Sequence, residues 1–210
     1  MNMLKKILLG LVIVVAVGFI FRENLYQILV DQVTKDMFVA EDTDNFDPGP
    51  AVGAEFPTIK ALYQGEEVSS ISEFAGSNGT IFIASRSLDW CPFCMKQMIQ
   101  LQQYKQDFDA AGIGMVGITY DAPELQQVFI DEFNITIPIL SDIKTSTFTS
   151  LGILNQDYQP GDSAYGIPDP GMIVVDADGR IAGKLFIEAY SARVDSAAAL
   201  AFAKQALGIE

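Results

Sequence analysis

The chain has 210 residues, half of them hydrophobic, which is enough to bury one sizeable core without stabilising cross-links. Its formal net charge of −14 at pH 7 and its low isoelectric point, near 4.2, argue against a nucleic-acid-binding protein, because phosphate groups would be repelled. The acidic residues are spread along the chain, so the charge indicates a solvated surface rather than an acidic tail.

The first predicted element is an apolar segment near the N-terminus. Residues 7–21 carry no charged side chain and follow Lys5 and Lys6. As a helix they would be about 22 Å long, and snorkelling lysines and local thinning would let this helix span a hydrocarbon core of about 30 Å. We therefore predict that residues 1–22 form an uncleaved signal anchor, a transmembrane helix. A signal peptide cleaved after residues 16–18 is the alternative.

The two lysines also predict the orientation of this anchor. Positively charged flanks stay in the cytoplasm, so Lys5 and Lys6 place the rest of the chain on the extracytoplasmic side. In a Gram-negative bacterium the protein would be a single-pass protein of the inner membrane, with its folded part in the periplasm.

Residues 23–50 are predicted to connect the anchor to the folded domain. We expect an amphipathic juxtamembrane helix at residues 24–38 and an acidic, proline-containing linker at residues 41–50. The folded domain is expected at residues 51–210. The apolar positions of the juxtamembrane helix are Leu25, Ile28, Leu29, Val33 and Met37.

Within the folded domain, strands are predicted to alternate with helices. This order indicates an α/β fold with a central mixed β-sheet flanked by helices. The last two strands form a hairpin around residues 177–179, and Gly112 is a plausible end for the first helix. We predict strands at 56–62, 67–71, 80–85, 113–120, 137–140, 172–176 and 181–187, and helices at 91–111, 123–133, 143–151 and 194–207.

The most informative motif is Trp-Cys-Pro-Phe-Cys at residues 90–94, which contains both cysteines of the chain. It lies between a predicted buried strand and a predicted helix. The free N–H groups and positive dipole end of a helix N-terminus stabilise a thiolate, and Pro92 suits the first helical turn. We predict that Cys91 is the exposed nucleophile and that Cys94 is the resolving thiol, which reaches back to close a disulfide.

Other uses of two cysteines at this spacing fit less well. A zinc site needs about four ligands, and the chain has no histidine and no third cysteine. A c-type haem needs histidine after the second cysteine, where this chain has Met95. A purely structural disulfide over so short a loop would add little stability. The motif therefore predicts a redox-active dithiol, with no cofactor and no metal.

The order of these elements resembles the AhpC/TSA (redoxin) branch of the thioredoxin superfamily. The resemblance spans residues 51–208 and implies a thioredoxin-like fold. Besides the dithiol motif, three segments carry it: 117–124 (GITYDAPE), 137–142 (IPILSD) and 171–180 (GMIVVDADGR).

The resemblance also implies a second site element. Thioredoxin-like proteins place a cis-proline opposite the dithiol, where it exposes a strand edge to the substrate chain and keeps metals off the thiols. Spacing assigns this place to Pro170, with a cis Asp169–Pro170 bond. Pro168 and an ordinary proline-rich turn are the alternatives. We predict that Pro170 binds substrate together with Trp90, Pro92 and Phe93, with Trp90 packing beside the site rather than reacting.

The motif departs from the peroxidases of this branch. Peroxiredoxins carry Pro-x-x-x-Thr/Ser-x-x-Cys, and with Cys91 as their reactive cysteine the proline and hydroxyl positions hold Ala84 and Leu88. Ser85, Arg86 and Ser87 lie nearby but off register. The Cys-Pro-Phe-Cys core instead resembles the glutaredoxin-type Cys-Pro-Tyr-Cys, from which glutathione use does not follow.

Three functions are therefore carried forward. The leading hypothesis is a membrane-anchored, extracytoplasmic thiol–disulfide oxidoreductase whose partners are protein disulfides or dithiols and a further redox protein. The second is a thiol-dependent peroxidase of the AhpC/TSA type, in which Cys91 forms a sulfenic acid and Cys94 resolves it. The third is a non-enzymatic binding protein that keeps a static disulfide. The direction of electron flow is left open, because extracytoplasmic proteins of this kind can act as oxidants or as reductants.

Overall fold

The structure, a computed structural model, describes residues 30–41, 44–142 and 144–209. The predicted transmembrane helix at residues 1–22 lies outside the described residues, as do residues 24–29 of the predicted juxtamembrane helix. Within the described ranges, no helix combines the length and the apolar character needed to cross a membrane.

Nine strands and four helices with defined bounds are present in the described part of the chain, and residues 30–33 are also helical. The strands are β1 (Phe38–Val39), β2 (Ala61–Tyr63), β3 (Glu66–Val68), β4 (Gly79–Ala84), β5 (Ile113–Thr119), β6 (Ile139–Ser141), β7 (Gly171–Asp176), β8 (Ile181–Phe186) and β9 (Arg193–Val194). The helices are α1 (Pro92–Ala110), α2 (Pro123–Phe133), α3 (Ser146–Leu151) and α4 (Ser196–Ala206), with a 3-10 turn at Ile71–Phe74.

Seven of the strands form one mixed sheet in the order β3-β2-β6-β5-β4-β7-β8. Strand β4 is parallel to β5 and antiparallel to β7, and β5 is parallel to β6. The predicted α/β fold with a central mixed sheet is therefore confirmed. The short strands β1 and β9 pair with each other, in parallel, outside this sheet.

Strand β4 shows why the sheet is buried on both faces. Its successive side chains point to opposite faces of the sheet. Ile81 and Ile83 belong to one apolar cluster, and Phe82 and Ala84 belong to the other. All four are fully buried. A continuous apolar run is the expected sequence of such a strand, and it fixes the position of the loop that leads to the dithiol.

The structure differs from the predicted elements at both ends of the domain. Phe38 lies in β1 instead of ending a juxtamembrane helix, and the described helix ends at residue 33. The reason is long-range pairing: the N–H groups of Arg193 and Asp195 donate to the carbonyls of Met37 and Val39, both at 2.8 Å.

The last helix also begins later than predicted. Residues 193–194 form β9, and α4 starts at Ser196 because the Asp195 side chain caps it, accepting hydrogen bonds from the backbone N–H groups of Ala197 and Ala198.

Candidate redox site

The loop between β4 and α1 is held by a buried carboxylate, Asp121. It accepts hydrogen bonds from the Ser87 hydroxyl at 2.8 Å and from the Leu88 backbone N–H at 2.7 Å. The Ser87 oxygen in turn accepts from the backbone N–H groups of Asp89 and Trp90, at 3.0 and 3.2 Å. Burial raises the pKa of Asp121, and these hydrogen bonds oppose that shift. Asp121 and Ser87 together therefore hold the path of the chain into Cys91.

Cys91 and Cys94 form a disulfide at the start of α1, as the sequence predicts. Their Cα atoms are 5.3 Å apart. Cys91 is the N-cap residue of α1, and its sulfur accepts a hydrogen bond from the Cys94 backbone N–H at 3.3 Å. Pro92 occupies the first turn, where its missing N–H leaves no donor unsatisfied. The Cys91 sulfur thus lies where a helix N-terminus stabilises a thiolate.

The predicted exposure of Cys91 is wrong for this disulfide state. Cys91 is 1% exposed and Cys94 is fully buried. Both pack in one buried cluster with Met37 and Phe93, and Phe38 packs against that cluster. We call residues Met37–Val39 the strap, because they cross the dithiol and are held by their pairing with β9.

A buried arginine contacts the inner cysteine. Nη2 of Arg193, in β9, donates to the Cys94 sulfur at 3.5 Å. Its Nη1 donates to the carbonyls of Tyr190 and Ala192, at 3.1 and 2.6 Å. Nε of Arg193 is buried without a partner in the described structure. Burial lowers the pKa of Arg193 to about 9, and the nearby positive charge of Arg86 adds to this effect.

Arg86 is a second buried arginine and shares a partner with Arg193. Its guanidinium carbon is 3.8 Å from the centre of the Tyr190 ring, and its Nη1 donates to the Tyr190 carbonyl at 2.9 Å. The Tyr190 ring meets the Phe93 ring edge to face, with centroids 6.1 Å apart. Burial also lowers the pKa of Arg86. Two buried arginines therefore share the Tyr190 carbonyl as a partner.

The predicted substrate-binding residues differ in exposure. Trp90 is 39% exposed, and its indole N–H donates to the Tyr120 hydroxyl at 2.9 Å. Pro92 is half-buried, whereas Phe93 and Pro170 are buried. Trp90 is therefore the side chain of the motif that a partner can reach most directly.

Pro170 lies at the end of the sheet from which the dithiol loop departs. It directly precedes β7, whose first residue, Gly171, is paired with Ala84 at the end of β4. It also lines a small cavity, of about 10 Å³, together with Arg193 and Gln97. Pro170 and Arg193 therefore line the same small cavity.

The predicted cis bond before Pro170 is wrong. The Asp169–Pro170 bond is trans, like the other peptide bonds of the described residues. Residues 167–169 run extended beside residues 153–155: Asp169 N–H donates to the Ile153 carbonyl at 2.8 Å, and Leu154 bridges Pro168. This pairing carries the chain into β7 with the trans isomer, which X–Pro bonds favour by about 0.5–1 kcal/mol.

A cavity of about 390 Å³ opens beside Pro170. Its lining includes Arg86, Asp169, Tyr158 and Tyr190. Burial raises the pKa of Asp169, whose side chain accepts a hydrogen bond from Asn155. This cavity therefore offers polar groups of both signs beside Pro170. The described residues contain no cluster of acidic or cysteine side chains suited to hold a metal ion.

Three residues of this site fall outside the sequence-based predictions: Arg193, Asp121 and Tyr190. Arginine is scarce in this acidic chain, with four in 210 residues, and that scarcity is the signal that could have drawn attention to Arg193. Asp121 directly follows the predicted second core strand, at the sheet edge where β4 also ends. No local sequence pattern distinguishes Tyr190.

These features define a class: an α/β thiol-redox protein whose disulfide caps a helix at the end of a buried central strand. Within that class, the chain belongs to the AhpC/TSA family, whose model matches residues 52–184. A solved structure, the peroxidoxin BcpB from Mycobacterium tuberculosis, superimposes with a TM-score of 0.57 at 18% identity. The alignment covers 78% of this chain and 96% of that one. This likeness confirms the thioredoxin-like fold.

Curated relatives include proteins named as peroxiredoxins and a protein named as a thiol-disulfide oxidoreductase. The putative peroxiredoxin Rv2521 from Mycobacterium tuberculosis is 34% identical over 90 residues, covering 43% of this chain and 57% of that protein. The thiol-disulfide oxidoreductase ResA from Oceanobacillus iheyensis is 28% identical over 126 residues, covering 59% and 65%. The chain thus spans less than two thirds of the length of either relative. Relatives of this chain are redoxins, named either as peroxiredoxins or as a thiol-disulfide oxidoreductase.

The strap predicts that shortening Met37 opens the dithiol. Met37→Ala should accelerate reduction of the disulfide by dithiothreitol at least about threefold, because an attacking thiolate must reach a sulfur that Met37 helps to bury. Met37→Leu, which keeps the side-chain volume, should react like the wild type. The rate can be followed by the fluorescence of Trp90, the single tryptophan.

Val128→Ala is the matched control for that truncation, since Val128 is 65% exposed and lies on α2. A Met37→Ala protein that is reduced no faster than Val128→Ala would show that the strap does not limit access.

Proposed function

We propose that this protein is a thiol–disulfide oxidoreductase that works through Cys91 and Cys94. The observation that carries the proposal is the Cys91–Cys94 disulfide at the N-terminus of α1. In the reduced protein the Cys91 thiolate attacks one sulfur of a partner disulfide and releases the other as a thiolate. Cys94 then attacks the Cys91 sulfur of the mixed disulfide, which closes the internal disulfide and releases the partner reduced. The reverse sequence oxidises a partner dithiol.

The local geometry suits each of these steps. The Cys94 N–H that now bonds the Cys91 sulfur would also bond its thiolate, and the helix dipole adds to that stabilisation. Cys94 lies one helical turn further on, fully buried, with its sulfur bonded to that of Cys91. Such a partner resolves a mixed disulfide without itself being open to competing thiols.

Peroxide reduction is the second candidate, favoured by the peroxiredoxin names among the relatives. The residues around Cys91 support it less well. Leu88, at the position of the peroxiredoxin hydroxyl, is 1% exposed and packs in the apolar core. The nearby Ser87 hydroxyl is already donated to Asp121. Neither residue therefore offers a free hydroxyl to hold a peroxide beside the Cys91 sulfur.

We further propose that the protein is anchored in a membrane with the dithiol on the extracytoplasmic side. The uncharged run at residues 7–21 behind Lys5 and Lys6 supports the anchor and its orientation. A disulfide is also the stable state of a cysteine pair in an oxidising compartment. The partners would be protein disulfides or dithiols and a second redox protein.

The rates at which the reduced protein reacts with a disulfide and with a peroxide distinguish the two candidate functions. We expect the reduced protein to react with a model protein disulfide at least tenfold faster than with hydrogen peroxide, a difference of about 1.4 kcal/mol in barrier. Stopped-flow recording of Trp90 fluorescence measures both reactions at matched concentrations. Cys91→Ser should abolish both. A faster reaction with peroxide would place the protein among the peroxidases.

The anchor is tested by fractionation of cells that contain the full chain. The protein should stay in the membrane fraction after carbonate extraction, and after reduction Cys91 should be labelled by a membrane-impermeant thiol reagent applied to spheroplasts. Recovery of a soluble chain that starts near Phe19 would instead demonstrate a cleaved signal peptide. Labelling only after cell lysis would contradict the proposed orientation.

A further inference from the structure

The two cysteines have different electrostatic surroundings. Cys91 accepts a hydrogen bond from a neutral backbone N–H, whereas Cys94 accepts one from the guanidinium of Arg193, at 3.5 Å. The formal positive charge at this site therefore lies against the inner sulfur. Arg193 is 3% exposed, so water screens its charge little.

We propose that Arg193 is a positioning residue that stabilises the thiolate of Cys94 and thereby makes the Cys91–Cys94 disulfide a stronger oxidant. This inference rests on the proposed thiol–disulfide exchange and gives it a direction: the protein would preferentially accept electrons from partner dithiols.

The oxidised protein leaves the charge of Arg193 poorly compensated. Its oxygen partners are the neutral carbonyls of Tyr190 and Ala192, and its Nε has no partner. Among the described residues, no carboxylate forms an ion pair with Arg193. Arg86 adds a second buried positive charge nearby, and the lowered pKa of Arg193 reflects both effects. A buried charge without a counter-charge is costly.

Reduction supplies the missing counter-charge. Two electrons and one proton break the S–S bond and reduce the disulfide to a cysteine pair that carries one negative charge. Arg193 stabilises the form with the charge on Cys94 and the proton on Cys91, and transfer of that proton to Cys94 gives the Cys91 thiolate that attacks a partner disulfide. The reduced state therefore gains a buried ion pair that the oxidised state lacks, which shifts the equilibrium towards reduction. A stabilised thiolate also leaves faster when a substrate thiolate attacks the Cys91 sulfur.

Arg86 provides a matched control. It is also buried, at 5% exposure, donates to the same Tyr190 carbonyl, and has an unpaired Nε. It makes no hydrogen bond to either sulfur among the described contacts. Arg86→Met thus removes a buried arginine of similar surroundings without removing a sulfur contact. Methionine is a suitable replacement, since well-packed apolar side chains often replace buried charges without loss of stability.

The test is a redox titration of the full chain in glutathione buffers, with the reduced fraction measured by thiol alkylation and mass spectrometry. We expect Arg193→Met to change the equilibrium constant at least tenfold in favour of the disulfide, which is about 30 mV towards a more negative potential. Arg86→Met should shift it less than about threefold, and Arg193→Lys, which keeps the charge, should retain most of the wild-type potential.

The outcomes separate this inference from the proposed function. A reversible wild-type couple whose potential is unchanged in Arg193→Met, or shifted equally in Arg86→Met, would overturn the role of Arg193 and leave the exchange reaction standing. A wild-type disulfide that does not exchange with glutathione at all would overturn the proposed function itself, and this inference with it.

Discussion

The hydrogen bond from the Cys94 backbone N–H to the Cys91 sulfur is the interaction on which the site depends. It makes Cys91 the cap of α1, so the sulfur that begins the chemistry is also part of the structure of the helix. The same bond requires the chain to leave β4, cross the sheet edge and enter the helix within residues 85–90. Asp121 enforces that path from the end of β5. Because β4 and β5 are parallel neighbours, the segments that follow them reach the site at the same edge of the sheet.

The residues around the two sulfurs determine the access to the disulfide and its charge environment. The strap and Phe93 exclude solvent from the disulfide, while β9 provides both the partner strand for the strap and the guanidinium of Arg193. One short strand therefore links access to the sulfurs with their charge environment. Displacing the strap would expose Cys91 and, through the shared strand, loosen the position of Arg193. With the proposed role of Arg193, this strand would couple access to the disulfide with its redox potential.

The elements built from local signals are those that the sequence predicts well. The buried strand β4, the helix start at Pro92 and the Cys91–Cys94 disulfide follow from an apolar run, a proline at the first turn and a two-residue spacing. The strap cannot be predicted from such local signals. Met37 has the spacing of an amphipathic helix, and its place in the strap depends on a hydrogen bond from the backbone N–H of Arg193, far along the chain. The trans bond before Pro170 likewise depends on pairing with residues 153–155, which motif spacing cannot reveal. The burial of Cys91 could not be predicted either, because it depends on the strap and therefore on pairing between distant parts of the chain.

The central claim, that Cys91 exchanges with partner disulfides and Cys94 resolves the product, is tested most directly by trapping. The full-length Cys94→Ser protein is reduced, mixed with an oxidised model protein, and analysed by non-reducing electrophoresis and mass spectrometry. The account predicts a stable mixed disulfide through Cys91 in this variant, and none in Cys91→Ser, which lacks the sulfur at the N-cap of α1. A mixed disulfide that forms through Cys94 in Cys91→Ser, with none in Cys94→Ser, would contradict it.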